Sequence, residues 1–242
     1  MFNFPKISEL HKETQKEMGI PADENLWPAS WKVVEYKEYP RFPKIILPEP
    51  RPIPGAFRDV LLARESKRDF DEKKILTAQE LSDFLYWSAG LKKITMRTEN
   101  FRRMHPSGGA RYPLEIYLSC KGSKEIPGGV YHYHIREHAL EKLMGSEGDA
   151  TIRALPNYPW APKAQAMIFI SAILDRSMRK YRERGYRFAL LEVGALLHNF
   201  YLVGTALEMN TCALGVNFDV AVERIIDLGG GERILSALVA GK

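Results

Sequence analysis

The spacing of apolar and polar positions divides the chain into segments of different period. From Ala56 the pattern is helical, with Phe57, Val60 and Leu61 recurring on one face. A second helix opens at Thr77-Ala78-Gln79-Glu80, a capping box in which hydroxyl and carboxylate satisfy free N–H groups at the helix start. Leu76 and Leu81 are placed for a hydrophobic staple, Leu81, Phe84 and Leu85 supply the buried stripe, and Gly90 supplies the stop. The period then shortens to two. Leu114, Ile116, Leu118 and Cys120 alternate with Glu115, Tyr117 and Ser119, which predicts a half-buried strand. A loop through Gly128-Gly129 leads to Val130-Tyr131-His132-Tyr133 as a hairpin partner, and the apolar run Ala166 to Leu174 predicts a central strand. A long helix follows over 186–208, then a shorter helix capped by Asp219 and ending near Gly229, and a terminal strand from Ile234 to Val239. Helices and strands mixed without strict alternation predict an α+β fold.

The first 55 residues read differently. Six of the 15 prolines fall between Pro40 and Pro54, so this stretch is expected to be a proline-rich extension with a short helical start, polyproline-like and lying over the surface. The expected organisation is that extension over 1–55 and a single domain over 56–242. Residues 188–207, FALLEVGALLHNFYLVGTAL, are nearly long enough to span a bilayer, but Glu192, His198 and Asn199 would each be costly in hydrocarbon. A helix buried on most sides, in a core or a subunit interface, is the better reading, with no membrane involved.

Composition adds limits. Of 242 residues, 45% are hydrophobic and 27% charged, which excludes wholesale disorder and allows a core without disulfide staples. The two cysteines, Cys120 and Cys212, build neither a disulfide scaffold nor a zinc ribbon. With an N-terminus lacking a long apolar core, they point to a cytoplasmic protein. The net charge of +5 is spread among interspersed acids; it permits an anionic ligand and argues against nucleic acid as a partner.

Several clusters could carry chemistry. In Arg64-Glu65-Ser66-Lys67-Arg68, an extended backbone would put Arg64, Ser66 and Arg68 on one side, and two guanidinium forks with a hydroxyl suit a phosphate; a solvated basic loop is the plain alternative. Pro106-Ser107-Gly108-Gly109-Ala110 lets backbone approach a flat ligand, or simply turns into the next strand. Thr211-Cys212-Ala213-Leu214-Gly215-Val216 could line a ring, or be a close-packed strand. His132, His134 and His138 lack partners at metal-site spacing and read as exposed hairpin residues; His105 beside the glycine loop is the better functional candidate, and His198 is expected to pack within the long helix. No metal site is expected. A Walker loop, a G-x-G-x-x-G opening a helix, a G-x-S-x-G elbow and an H-E-x-x-H pair are all lacking.

The order of these motifs says more than each alone. Arg-x-Ser-x-Arg at 64–68, the helix ending Leu85-Tyr86-Trp87-Ser88-Ala89-Gly90, Pro106 to Glu115, Gly129 to Tyr133, Lys180-Tyr181-x-x-Arg184-Gly185-Tyr186-Arg187-Phe188, Glu192-x-Gly194, Asn199 and Leu214-Gly215 together resemble the nitroreductase superfamily, in particular its SagB-type dehydrogenase branch. The resemblance covers about residue 56 to the end, and the proline-rich arm also resembles that branch's extension. It implies an α+β fold with a central, mostly antiparallel sheet flanked by helices, and a homodimer with two FMN sites where the copies meet. It further implies that Arg64, Ser66 and Arg68 hold the FMN phosphate and ribityl chain. Pro106, Ser107, Gly108 and Gly109 would reach the flavin from the partner, Leu214 and Gly215 would run along its ring, and Lys242 would lie near the phosphate. Two positions depart from the branch: Ala195 stands in place of a histidine and His198 in place of a glutamine.

The activity so implied is a flavin oxidoreductase in which NADH or NADPH reduces FMN and a small-molecule acceptor, such as a nitroaromatic or quinone, is reduced in turn by ping-pong kinetics. The alternative is substrate oxidation of the azoline-to-azole kind with oxygen as acceptor, in which a Lys-Tyr pair serves in catalysis; Lys180 and Tyr181 resemble that pair. Lysine would then lower the tyrosine pKa by its charge. The plain reading of the same residues is a surface helix turn of solvated charge. A flavin-binding module without turnover is a third possibility.

Overall fold

The computed structural model describes residues 5–16, 18–92, 102–215 and 218–242. Capping, periodicity and burial account for its elements in order. Helix α1 (Pro5–Glu13) and short turns at Glu24–Leu26 and Ala29–Trp31 precede strand β1 (Lys44–Ile46) and helix α2 (Phe57–Ala63). Helix α3 (Ala78–Ala89) has both hydrogen bonds of the capping box and stops at Gly90. A small ladder of β2 (Leu91–Lys92) and β3 (Arg102–Arg103) follows, then β4 (Leu114–Cys120), β5 (Gly129–His134), β6 (Ala139–Met144) and α4 (Ser146–Arg153). The chain continues through β7 (Ala166–Ile173), α5 (Asp175–Tyr181), α6 (Arg184–Ala206), β8 (Asn210–Leu214), α7 (Asp219–Ile225) and β9 (Glu232–Gly241).

Seven strands form one sheet in the order β1-β6-β5-β4-β7-β9-β8, with every neighbouring pair antiparallel. The α+β class and the antiparallel sheet expected from the sequence are present. One face packs on α3 and α6, where Phe84 and Phe200 meet with ring centroids 5.1 Å apart. The other face packs on α4 and α7 through Met167, Phe169, Ile152 and Val222.

That two-sided covering corrects the reading of β4 as half-buried, since all seven of its residues are buried. Its polar row faces a second interior, where each polar group has a partner. Glu115 meets His132 at 3.1 Å and also the Arg176 guanidinium, and His132 meets Glu141 at 2.8 Å through its other nitrogen. Tyr117 donates to Glu232 at 2.9 Å, and Ser119 to Asp149. The histidines expected on an exposed hairpin are therefore misread: His132 and His134 are buried and His138 half-buried, between Ser82 and Tyr133. A period of two cannot distinguish solvent from a buried ion-pair layer.

Three further expectations change. The proline-rich arm includes a strand: Lys44, Ile45 and Ile46 pair with Glu141, Leu140 and Ala139 at the sheet edge, where Pro43 and Pro48 are tolerated because no further strand needs their donors. Asp219 lies inside the first turn of α7 and makes no capping bond. The long helix is only partly enclosed by its own chain, which leaves the alternative of a subunit interface, and the expectation that changes is that of a packed His198. The helix is long and apolar enough by length and composition to cross a membrane, yet less than half of its apolar stretch is buried, Leu191 is 66% exposed, and His198 is exposed instead of packed.

Two outcomes follow from these contacts. Thr77→Ala removes the reciprocal cap of α3 and should lower unfolding stability in urea by about 1 kcal/mol. The Glu115 carboxyl, although burial opposes its charge, is held at about 2 by His132, Arg176 and Arg103, so its stabilisation is present above pH 4.5 and lost as pH falls toward 2. His132 is raised above 6.5 because Glu115 and Glu141 outweigh burial, so its contribution is full below pH 6.5 and fades as pH rises through the folded value. The stability difference between the protein and a His132→Gln variant should therefore be largest between pH 4.5 and 6.5 in urea titrations.

Candidate functional site

The predicted site residues gather at two places, one at each end of α6. At its C-terminal end the chain leaves α2 through Arg64, whose backbone is extended, and runs beside β8, where Lys67 N–H donates to Thr211 O at 3.0 Å. Tyr201 of α6 ties the pieces together, its hydroxyl oxygen accepting from Ala213 N–H at 2.7 Å and from Ser66 Oγ at 3.2 Å. The Arg64 guanidinium lies 5.6 Å from the Tyr201 ring centre and that of Arg68 5.6 Å from the Trp160 ring centre. Among the described residues neither guanidinium has a carboxylate partner. At the end of β8, Gly215 C=O accepts from Tyr158 OH at 3.1 Å. Arg64, Ser66, Arg68, Leu214 and Gly215 thus fall on neighbouring segments, with two cationic forks free to receive an anion.

Lys242 lies along the same edge but is committed. Its C=O accepts from Asp71 N–H at 2.7 Å, its N–H donates to Gln165 Oε1 at 2.9 Å, and its ammonium pairs with Glu80. That pairing and the Thr77 cap hold the Glu80 carboxyl below its usual range although burial opposes it.

At the N-terminal end of α6 lies the glycine loop. Pro106 and Ser107 lead into a tight turn over Gly108–Ala110, with φ of +61° at Gly109 and +53° at Ala110; Ser107 Oγ accepts from Tyr112 N–H at 2.8 Å. Gly109 has no space for a side chain, because a Cβ would sit 2.0 Å from the Tyr181 hydroxyl oxygen; at Gly108 it would sit 3.1 Å from the Phe188 ring. Gly108, with Pro106, Ser107, Phe188, Leu191 and Glu192, surrounds an open depression of about 270 Å³. Behind the loop His105 is buried against Glu192, 3.2 Å apart, its Nδ1 unpartnered among the described residues. Burial, outweighing Glu192, pushes the His105 pKa down.

Lys180 and Tyr181 end α5 beside this loop. The plain reading of a solvated surface turn holds for Arg179, Arg182 and Glu183, which are exposed, but not for Lys180 and Arg176, which are buried. The Lys180 ammonium stands 3.2 Å from the Trp27 ring centre and 5.3 Å from that of Tyr181, and burial followed by Arg111 pushes its own pKa down. Burial raises the Tyr181 phenol, and the opposing cation is Arg111. A cleft of about 590 Å³ opens over Ser107, Gly109, Lys180 and Tyr181, walled by Trp27 and Trp31 of the N-terminal segment. These tryptophans, Arg111 and Tyr201 were missed in the sequence. Two of the four tryptophans within five residues of a polar stretch were the available signal.

The two groups do not meet within one chain. Phe188, at the glycine loop, and Tyr201, at the arginine segment, are thirteen residues apart on one helix, about 20 Å along its axis. Leu191, Gly194 and His198, all exposed, lie on the helix face between them.

Comparison with known proteins bears on this arrangement. The family model described as nitroreductase family matches residues 61–242. MJ1384 of Methanocaldococcus jannaschii, assigned as a nitroreductase, is 31% identical over 171 residues, 70% of this chain and 83% of its own length. The microcin B17-processing protein McbC of Escherichia coli is 35% identical over 115 residues, 45% of this chain and 42% of its own. The chain thus spans less than half of McbC in that match. Among solved structures, a nitroreductase-assigned protein of Ralstonia eutropha superposes with TM-score 0.68 at 21% identity, covering 82% of this chain and 89% of that one. A chain of the E. coli microcin synthetase McbBCD complex superposes with TM-score 0.63 at 22% identity, covering all of this chain and 84% of that one. These last two likenesses concern the fold. The match over residues 61–242 establishes that the chain belongs to the nitroreductase family.

Proposed function

We propose that the chain is an FMN-dependent oxidoreductase, active as a homodimer, that takes electrons from NADH or NADPH and passes them to a nitroaromatic, quinone or similar small acceptor. The observation that supports it most is the pair of guanidinium groups at Arg64 and Arg68, without carboxylate partners among the described residues and set about Ser66 beside β8. Two free forks fit a phosphate-bearing group in charge and geometry, and the Ser66 hydroxyl could join them by turning from Tyr201. A solved structure of an oxidoreductase containing FMN is similar in fold, with TM-score 0.53 at 14% identity.

The distance between the two groups is the reason for the homodimer. A two-fold axis crossing the exposed face of α6 would bring the glycine loop of one copy to the arginine segment of the other, so each site is built from both. Leu191 and its neighbours would be covered in the same step, favourable by roughly 25 cal/mol per Å² of apolar surface. A closely packed partner is also what the open space at Gly194 accommodates.

When bound, FMN supplies a two-electron redox centre. The chain's own residues supply the rest. Arg64 and Arg68 neutralise the phosphate, Ser66 adds a hydroxyl, and Leu214 and Gly215 offer a flat backbone edge. Pro106, Ser107, Gly108 and Gly109 of the partner would complete the flavin site, with Lys242 near the arginine segment. Tyr181, with its phenol pKa raised by burial, stays protonated at neutral pH and can hold a proton for an acceptor in the cleft.

A second reading is favoured by the match to McbC and by the place of Lys180 and Tyr181 on the cleft: oxidation of a substrate, azoline-to-azole in type, with oxygen as acceptor. Under that reading Tyr181 must first give up its phenol proton, which burial opposes and Arg111 favours, before it can accept one from a substrate, with the Lys180 ammonium 5.3 Å from its ring.

Anaerobic addition of NADH or NADPH to the purified, yellow protein should bleach its absorbance near the flavin band, and initial-rate lines should be parallel; protein that binds FMN yet never bleaches would be a binding module or a substrate oxidase. Arg64→Gln and Arg68→Gln should each weaken FMN binding by about tenfold or more, read by equilibrium dialysis. Leu191→Glu should convert the dimer to monomer in sedimentation analysis and release FMN with it.

A further inference from the structure

The cleft beside the glycine loop carries charge that the proposed phosphate site at Arg64 and Arg68 does not use. Its lining includes four cations, Lys32, Arg102, Arg111 and Lys180, against one acid, Glu24. These cations are not equivalent. Arg111 is used by the fold: Nε donates to Arg176 O at 3.1 Å, Nη2 to Ser30 O at 3.0 Å and Val33 O at 2.9 Å, and Nη1 to Trp31 O. Those bonds strap residues 30–33 over the cleft and fix its aromatic wall. Trp31 Nε1 donates to Arg179 O at 3.1 Å and Trp27 Nε1 to Pro21 O at 2.8 Å, which holds both rings in place.

Lys180 is in the opposite condition. It is 4% exposed, it makes no hydrogen bond or ion pair among the described residues, and its ammonium lies on the ring faces that wall the cleft, Trp27 at 3.2 Å, Tyr181 at 5.3 Å and Trp31 at 5.9 Å. Cation–π contact offsets only part of the cost of removing an ammonium from water. An oxyanion in the cleft would give the ammonium a charge-assisted partner that no protein group supplies among the described residues, and a flat ring attached to it would lie against indole. A volume of about 590 Å³ admits a small aromatic molecule with room to spare.

From this geometry we infer that the cleft selects planar aromatic carboxylates, with Lys180 taking the carboxylate and Trp27 and Trp31 the ring. The inference rests on the oxidoreductase reading only for the cleft's being the acceptor's place. Under that reading the acceptors are aromatic anions, and the neutral nitroaromatics and quinones are the weaker class.

The test is calorimetric titration of the isolated protein, without nicotinamide, using 4-nitrobenzoate, 4-nitrobenzamide and inorganic phosphate. The acid should bind at least about tenfold more tightly than the isosteric neutral amide, and phosphate should bind more weakly than the acid. Lys180→Gln should reduce the acid to the level of the amide, and Trp27→Leu should weaken both aromatic ligands. Equal binding of acid and amide, phosphate binding as tight as the acid, or unchanged acid binding in Lys180→Gln would overturn the inference. The acid-to-amide comparison is made on the unaltered protein, so it holds whether or not the variants fold. Because it reads binding alone, a protein that proves colourless and unable to take up FMN would sink the oxidoreductase reading and leave this ratio to be decided separately.

Discussion

The length and stiffness of one helix govern what this chain can build. Helix α6 carries Phe188 against the glycine loop at one end and Tyr201 against the arginine segment at the other. An α-helix cannot shorten, so the residues that could grip a phosphate and those that could close over a ring stay about 20 Å apart. The same helix leaves Leu191 and Leu190 exposed while Phe200 and Leu196 on the other side anchor it to the sheet. Apolar exposure and a divided site have the same remedy, a second copy related by a two-fold axis, and the proposed assembly rests on that coincidence.

The sheet beneath is rigid for a different reason. Its α3 and α6 face is filled with hydrocarbon, while part of the opposite face buries carboxylates, guanidinium groups and histidine in fixed partnership. Such a layer is costly to desolvate and intolerant of losing one member, so it favours a single arrangement of β4, β5 and β6. Arg176 belongs to it through Glu115 and also accepts the Arg111 N–H on its backbone carbonyl, which connects the sheet interior to the strap over the cleft. The site's walls therefore inherit their positions from the buried charges.

Much of this was legible in the sequence. The cap at Thr77, the strand at Leu114–Cys120, the long helix and the order of the site motifs all rest on local chemistry that short-range spacing records. What escaped notice depends on contacts between distant residues. Glu115 and Tyr117 alternate like solvent-facing positions, and only their partners His132, Arg176 and Glu232 make them interior. Lys44–Ile46 becomes a strand only because β6 has an edge to offer. Trp27 and Trp31 become a wall only because Arg111, eighty residues away, holds the backbone that carries Trp31. Spacing placed Lys180 next to Tyr181 but could not show that its ammonium faces an indole.

The central claim, that each site takes its arginine segment from one copy and its glycine loop from the other, is tested most directly by mixing two defective chains. One carries Arg64→Gln with Arg68→Gln, and the other carries Gly109→Val, which has no space beside Tyr181. Each alone should bind little FMN. Unfolded together and refolded, random pairing should restore about a quarter of the wild-type flavin content, because each mixed dimer holds one intact site and one doubly damaged site. A mixture that binds no more FMN than its two parents would contradict a site shared between copies.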